Sequence, residues 1–219
     1  MLKVKLRSGL PTSCSDPAGR FLRPRRLYNY ESSDGGNPMN HVSSQHKLID
    51  FQPLTVENFS PYGWLLGKSI RLDGSIPAFS NAEIDFWQEH IFDPGTGGET
   101  EVLWVTYRSR QRAVTSLEVH RLTGQAIVPL TGEITLIVAS SREDGSPDEG
   151  SMSAFRVPVG QGICMRPDCW HTTRVDVAEV TCLMLTRRST TVDLIAHLNG
   201  GSPLSESAIV AADRTLPAS

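Results

Sequence analysis

Four side chains in this chain are suited to bind a divalent metal ion: Glu118, His120, Gln125 and His171. Residues i and i+2 of a β-strand point to the same face, so Glu118 and His120 are expected to project into one cavity. Gln125 begins the next apolar segment, where a paired strand would hold its amide beside them. His171 must come from a further strand. Two imidazole nitrogens and two oxygens suit a first-row divalent ion such as nickel, manganese, iron or zinc.

The segments around these residues are rich in β-branched and aromatic side chains and are separated by polar turns, which is typical of short β-strands. The predicted strands are Leu48–Phe51, Glu101–Tyr107, Val114–Leu122, Gln125–Leu130, Glu133–Ser140, Ala154–Val159 and Val180–Thr186. Helical patterns are confined to a turn capped by Thr55 and to residues 190–198, which begin at a Thr cap and stop before Gly200. This spacing predicts a β-sandwich or barrel.

The spacing Glu118-x-His120-x4-Gln125-x6-Gly132, followed by Trp170-His171, resembles the paired metal-binding motifs of the cupin barrel. Glu118 stands where the first cupin histidine would be, and Gln125 stands where the cupin glutamate would be. The resemblance implies an all-β fold, a cupin-type β-barrel (double-stranded β-helix or jelly roll) with one or two short helices. It also implies that the four side chains surround one divalent cation.

The same departures, together with further motifs, make residues 48–198 similar to the ureidoglycolate lyase family. The matching motifs are Phe59-Ser60-Pro61-Tyr62-Gly63, Leu117-Glu118-Val119-His120, Gln125-Ala126-Ile127-Val128-Pro129, Ala154-Phe155, Gly162 and Trp170-His171. Thr172 replaces a second histidine that is frequent in the family. The resemblance implies a homodimer that cleaves (S)-ureidoglycolate to glyoxylate and urea in allantoin and purine-nitrogen catabolism.

This reaction needs a base for the carbinol hydroxyl, an acid for the departing urea nitrogen, and positive charge for the carboxylate and the developing alkoxide. Glu118, His120 and His171 are the candidate catalytic residues, acting as metal ligands or as acid and base. Gln125 is a candidate ligand or a hydrogen-bond partner of the ureido group. Candidate anchors for the substrate carboxylate are Arg108, Arg112, Arg166 and Arg174, because a guanidinium can donate two parallel hydrogen bonds to a carboxylate.

The 219 residues fit one domain at residues 47–203, preceded by a disordered basic leader at 1–46 and followed by a C-terminal tail at 204–219. Residues 1–38 carry a net charge of +4, which leaves −7 for the rest of the chain. An acidic body argues against nucleic acid as the partner. No apolar run is long enough for a membrane helix. We therefore expect a small hydroxy acid resembling ureidoglycolate as substrate.

The four cysteines, Cys14, Cys164, Cys169 and Cys182, form no C-x-x-C pair, and no signal peptide precedes them, so a reducing cytoplasm is expected. Cys164 and Cys169 flank the second motif and are either a ligand or nucleophile, or small buried hydrophobes. Two other functions stay open on the same barrel. One is a metal-dependent dioxygenase or isomerase, and the other is a non-catalytic small-molecule-binding protein.

Overall fold

The computed structural model describes residues 47–202 and 204–218. The predicted leader at residues 1–46 lies outside the described residues. Neither helix in the described part of the chain has both the length and the apolarity needed to cross a bilayer.

The described residues form strands for the most part, with two α-helices and a single 3-10 turn at Glu149–Ser151. The strands are β1 (Lys47–Leu48), β2 (Gly63–Leu66), β3 (Ala78–Ser80), β4 (Asp85–Trp87), β5 (Thr100–Tyr107), β6 (Ala113–His120), β7 (Gln125–Pro129), β8 (Ile134–Ala139), β9 (Ser153–Val157), β10 (Gly162–Met165), β11 (Trp170–Arg174), β12 (Val180–Arg187) and β13 (Ser207–Thr215). The helices are α1 (Val56–Phe59) and α2 (Arg188–Leu198).

Two sheets form the body of the domain. The six-stranded sheet has the order β1-β13-β6-β11-β8-β9, and the five-stranded sheet has the order β2-β10-β7-β12-β5. Strands β3 and β4 form a separate hairpin. Apart from the parallel pair β1 and β13, neighbouring strands are antiparallel. The prediction of an all-β cupin-type barrel with short helices is confirmed.

The main hydrophobic core lies between the two sheets. Ile127 and Ile163 of the five-stranded sheet share one buried cluster with Leu136 and Phe155 of the six-stranded sheet, and all four are fully buried. Side chains alternate between the two faces of a strand, so the neighbours of these residues point out of the barrel. Apolar residues facing inward from both sheets hold the sheets together, since burial of each large side chain contributes roughly 1.5–3 kcal/mol.

A second apolar cluster covers the outer face of the six-stranded sheet. Trp170, Leu117 and Val119 belong to it, and Ile49 packs there from the segment that follows β1. Val119 is fully buried in this cluster, on the strand face opposite to Glu118 and His120. Burial of the odd-numbered residues against this second core therefore fixes which face of β6 turns the polar side chains inward.

Most predicted strands agree with the structure to within one or two residues at each end. Thr55 caps α1 as expected, because its hydroxyl accepts a hydrogen bond of 3.2 Å from the Asn58 amide. The predicted Thr cap of the last helix is wrong. Helix α2 begins at Arg188, and the Thr190 hydroxyl lies inside the first turn, where it donates to Glu206 Oε2 at 2.9 Å.

The prediction of a C-terminal tail at 204–219 is also wrong for most of that range. Residues Ser207–Thr215 form β13, which pairs along the length of β6. Asp193 of α2 is buried and fixes this return, since its carboxylate accepts 2.7 Å hydrogen bonds from both the amide and the hydroxyl of Ser207. The strand was missed because its alternation of small and polar residues is weakly apolar, and its partner is distant in sequence.

Candidate functional site

Strands β6 and β11 place three of the predicted site residues next to one another. Glu118 and His171 are directly paired across these antiparallel strands. His120 lies two residues beyond Glu118 on the same face, and its side chain is buried together with that of His171. His171 in turn pairs with Val138 of β8, an inward-facing core residue. The cluster therefore points into the barrel, as the sequence spacing predicts.

The distances within this cluster are short enough for shared coordination of one ion. His171 Nε2 lies 3.2 Å from Glu118 Oε1, and the His120 and His171 ring centroids are 5.2 Å apart. Donor atoms of Glu118, His120 and His171 all lie within 4.8 Å of one another. Gln125, at the start of β7, reaches across from the other sheet, and its Nε2 lies 3.0 Å from His120 Nε2. The structure thus brings together all four predicted ligands.

The backbone sets the orientation of the His171 ring. His171 Nδ1 lies 3.0 Å from the Cys169 carbonyl oxygen, which can only accept a hydrogen bond, so Nδ1 carries a proton. The other ring nitrogen, Nε2, lies 3.2 Å from Glu118 Oε1 and is free to bind a metal ion. A divalent cation, or a shared proton, makes the contact between these two atoms attractive. A hydrogen bond from the second ring nitrogen to a carbonyl is the usual support of a histidine that binds metal.

Burial and neighbouring charges set the protonation states of the cluster. Burial, with a smaller contribution from His171, lowers the pKa of His120 to about 4, so this ring is neutral near pH 7. Burial acts to raise the pKa of Glu118, but the neighbouring His171, and next His120, outweigh it, and the pKa lies below its usual value. The cluster therefore offers an ionised carboxylate and a neutral imidazole at neutral pH, the forms in which both residues bind metal.

Buried polar atoms without a hydrogen-bond partner test whether a ligand fits this place. In the described part of the chain these atoms are His120 Nδ1, Gln125 Oε1, His171 Nε2, Glu101 Oε1 and Thr186 Oγ1. Three of the five belong to the predicted site. Such atoms are rare in folded proteins because each one costs free energy. The imidazole nitrogen of His171 and the amide oxygen of Gln125 are suitable ligands for a divalent ion, so the residues present fit a metal.

Inward-facing side chains of the edge strand β5 are less buried than those of the central strands. The inward-facing Leu103, Val105 and Tyr107 of this edge strand remain half-buried, whereas inward-facing residues of β8 are fully buried. Glu118 keeps 31% of its side-chain surface exposed, against 3% for His171. Of these two residues, Glu118 is therefore the one more accessible to a small molecule.

Tyr107 is a site residue that was not predicted from the sequence. Its phenol interacts with the side chain of Thr173, two residues beyond His171 on the same face. Burial, and next the charge of Glu118, raise the pKa of Tyr107, so the hydroxyl keeps its proton and remains a donor. The alternation of β5 offered a signal, because Leu103, Val105 and Tyr107 share one face, but the sequence did not show that this face meets Glu118.

The predicted carboxylate anchors do not join the cluster. Arg174 lies on the face of β11 opposite to His171, and its guanidinium donates to the carbonyl oxygens of Gln111, Thr173 and Ala113 at 2.9–3.1 Å. Arg108 pairs with Glu179 at the surface, and Arg112 donates to the Leu216 carbonyl. Arg166 donates to Ser60 O at 2.6 Å and lies over the Trp64 ring. These arginines stabilise loops and strand ends.

The two cysteines beside the second motif are buried hydrophobes. Burial raises the pKa of Cys164 to about 11 and that of Cys169 to about 12. Both thiols therefore stay protonated at neutral pH, and the thiol is a poor nucleophile and a poor ligand. Of the two alternatives for these residues, the structure favours the packing role.

Comparison with known proteins extends the agreement to the whole domain. The family model described as ureidoglycolate lyase matches residues 46–199. The ureidoglycolate lyase of Rhodobacter capsulatus is 30% identical over 126 residues, which cover 55% of this chain and 73% of that protein. The ureidoglycolate lyase of Pseudomonas fluorescens is 29% identical over 130 residues, covering 57% and 75% of the two chains.

Among solved structures, a dTDP sugar isomerase from Desulfovibrio desulfuricans aligns with a TM-score of 0.37 and 13% identity, covering 68% of this chain and 85% of that chain. A likeness this distant does not bear on activity. The family match spans the strands that carry Glu118, His120, Gln125 and His171, and its extent is decisive. This chain belongs to the ureidoglycolate lyase family.

Proposed function

We propose that this protein cleaves ureidoglycolate to glyoxylate and urea with a divalent metal ion bound by Glu118, His120, Gln125 and His171. The observation that carries the proposal is the convergence of Glu118, His120 and His171 inside the barrel, where their ligand atoms all lie within 4.8 Å of one another. A divalent cation would bind the ionised carboxylate and both imidazole rings together. The family match and the names of the relatives support the substrate.

When bound, the ion supplies positive charge for the substrate carboxylate and for the oxygen that becomes the glyoxylate carbonyl. This charge is needed because the four predicted arginine anchors are engaged elsewhere. Glu118 is ionised and His120 is neutral, so neither residue supplies positive charge for an anionic substrate. The choice among nickel, manganese, iron and zinc is left to measurement, since mixed nitrogen and oxygen ligation suits each of them.

Glu118 is the residue we assign to proton transfer. A carboxylate has two oxygens, and Glu118 Oε1 is the one that faces His171. The second oxygen accepts the proton of the carbinol hydroxyl. As the C–O bond becomes a carbonyl, the C–N bond breaks and its electron pair goes to the urea nitrogen, which takes the proton back from Glu118. Atoms and charge balance, and no oxidant is consumed.

Tyr107 contributes a neutral donor at the same place. Its hydroxyl keeps its proton because burial and the Glu118 charge raise its pKa. A phenol held beside Glu118 donates a hydrogen bond to an oxygen on which negative charge develops, which stabilises the transition state more than the ground state. Tyr107 thus supports the step that Glu118 begins.

The test is turnover of ureidoglycolate by purified protein, with glyoxylate and urea measured together. Equimolar release of the two products is the expected result. Ammonia in place of urea would indicate hydrolysis of the ureido group and contradict the lyase assignment. Oxygen uptake would favour the dioxygenase alternative, and tight binding without product would favour a binding protein.

The homodimer implied by the resemblance is proposed to form through the outer face of the five-stranded sheet. Trp104 and Val102 on the edge strand β5 are 70% and 64% exposed. They continue into Leu183 and Leu185 of β12 by direct pairing. A contiguous exposed apolar face of this kind is typical of an interface, and a second copy can present the same face across a two-fold axis.

Replacing Trp104 by Lys is expected to convert the dimer to a monomer, because a charge would be buried at the centre of the interface. Light scattering after size-exclusion chromatography measures the mass. Phe79→Ser serves as the matched control, since Phe79 is an exposed aromatic residue of the separate hairpin and is 44% exposed. A dimer that survives Trp104→Lys would place the interface elsewhere.

The proposed compartment is the cytoplasm, and the proposed role is recovery of purine nitrogen from allantoin. Cys164, Cys169 and Cys182 are buried free thiols, which supports a reducing environment.

A further inference from the structure

Two buried polar atoms outside the metal-binding cluster have no partner. Glu101 Oε1 and Thr186 Oγ1 are inaccessible to solvent, and the structure gives neither a hydrogen bond. The two residues are directly paired, Glu101 on β5 and Thr186 on β12. Within residues 47–202 and 204–218, Glu101 forms no ion pair. Two adjacent unpartnered groups indicate a place built for a polar ligand.

Both side chains face the barrel interior. Glu101 lies on the same face of β5 as Leu103, which packs on the main core. Thr186 lies on the same face of β12 as the core residue Met184. The pairing of β12 with β7 ends at Leu185 and Ala126, and one further step of the register sets Thr186 opposite Gln125. Glu101, Thr186 and Gln125 thus form one inward-facing polar row across three neighbouring strands.

This row leads away from the metal-binding cluster. Gln125 Nε2 lies 3.0 Å from His120 Nε2, so one end of the row touches the cluster. Neighbouring strands are about 4.8 Å apart, which sets the Glu101 backbone about 10 Å from that of Gln125. Because both side chains extend into the barrel, the distance between the Glu101 carboxylate and the Gln125 amide can be spanned by a small molecule. A substrate with its reacting carbon at the cluster would extend its other end toward Thr186 and Glu101.

The chemistry of the row matches a ureido group. A carboxylate accepts two parallel hydrogen bonds, and a ureido group carries N–H donors in that arrangement. The Thr186 hydroxyl can donate to the ureido carbonyl oxygen. A carboxylate at this end also repels the substrate's own carboxylate, which fixes the orientation of the substrate. Glu101 would then distinguish a ureido acid from a hydroxy acid that lacks N–H groups.

We propose that Glu101 and Thr186 form the binding site for the ureido end of the substrate, an inference that rests on the proposed lyase function. In the bound state Glu101 accepts the ureido N–H groups, and Thr186 supplies the hydroxyl. The departing urea is held at this row, while glyoxylate stays at the metal-binding cluster. The two products should therefore inhibit through different residues.

The experiment compares product inhibition of wild type, Glu101→Gln and Thr186→Val in the metal-loaded enzyme. Glu101→Gln is expected to raise both the KM for ureidoglycolate and the inhibition constant of urea by about tenfold or more, since hydrogen bonds to a charged group are strong. Inhibition by glyoxylate should stay unchanged. Thr186→Val should produce a rise of about threefold to tenfold in the same two constants. Glu99→Gln is the matched control, because Glu99 is an exposed glutamate directly before the same strand.

Both substitutions nearly conserve side-chain volume, so the fold is expected to be retained. Thermal unfolding of each variant checks this. Equal weakening of urea and glyoxylate inhibition in Glu101→Gln would overturn the proposal, as would no change in either constant. If wild type turns over ureidoglycolate and Glu101→Gln changes neither the KM nor the urea inhibition constant, the lyase function is retained but this binding site is contradicted. No turnover by wild type would remove the function and, with it, the inference.

Discussion

Replacement of Glu118 by Gln is expected to lower kcat for ureidoglycolate cleavage by about a thousandfold or more. The amide cannot accept the hydroxyl proton, and general-base catalysis contributes about 10²- to 10⁴-fold. The same change removes the negative charge that lies 3.2 Å from His171 Nε2, so the affinity of the site for the metal ion also falls. Steady-state kinetics at saturating metal separate the two effects, because excess ion restores binding but not proton transfer.

Glu133→Gln is the control for this prediction. Glu133 is an exposed glutamate that pairs with Arg156, and its loss should leave kcat unchanged, because exposed ion pairs contribute about 1 kcal/mol or less to stability. A Glu118→Gln enzyme that retained more than about a tenth of the wild-type kcat would contradict the assignment of Glu118 to proton transfer. The base would then be sought among the histidines.

Removal of the divalent ion is expected to lower kcat by about a hundredfold or more. It is also expected to lower the midpoint temperature of thermal unfolding. An ion that binds only the folded chain stabilises it by about 2.7 kcal/mol when its concentration is a hundred times its dissociation constant. Dialysis against a chelator, followed by addition of single metals, should restore activity with one ion per chain. Calorimetry and metal analysis measure stability and stoichiometry independently of turnover.

The His171→Ala variant provides the internal control for metal removal. Without the imidazole, added metal should no longer raise the unfolding midpoint, because His171 and Glu118 face each other as paired ligands. If chelation left both the activity and the stability of the wild type unchanged, the proposed metal site would be contradicted. His120 and His171 would then act as acid and base without an ion.

The sequence predicted strands β6 and β7 of the site because alternation is a local property, whereas for His171 it predicted only that the residue comes from a further strand. Apolar Leu117 and Val119 alternate with Glu118 and His120, and a strand with this pattern can bury only one set against the outer core. The same reasoning placed Gln125 at the start of the next strand, and the structure confirms that its amide reaches His120.

The contacts of the candidate arginines could not be predicted from the sequence. Arg174 was a candidate anchor, but it lies three residues after His171, and an odd separation on a strand puts the two side chains on opposite faces. Arg166 lies in the turn before β11, where its guanidinium is held by the Ser60 carbonyl of a distant segment. No local pattern in the sequence encodes that contact.

The sequence by itself determined strands β5 to β9 and β12, the family and the four ligand candidates, because each depends on residue types at short and regular spacing. Only the tertiary structure decided which strands face each other. It set Tyr107, Glu101 and Thr186 on inward faces of β5 and β12, and it returned residues 207–215 to pair with β6. These juxtapositions depend on how two sheets pack, and packing joins residues whose separation along the chain carries no periodic signal.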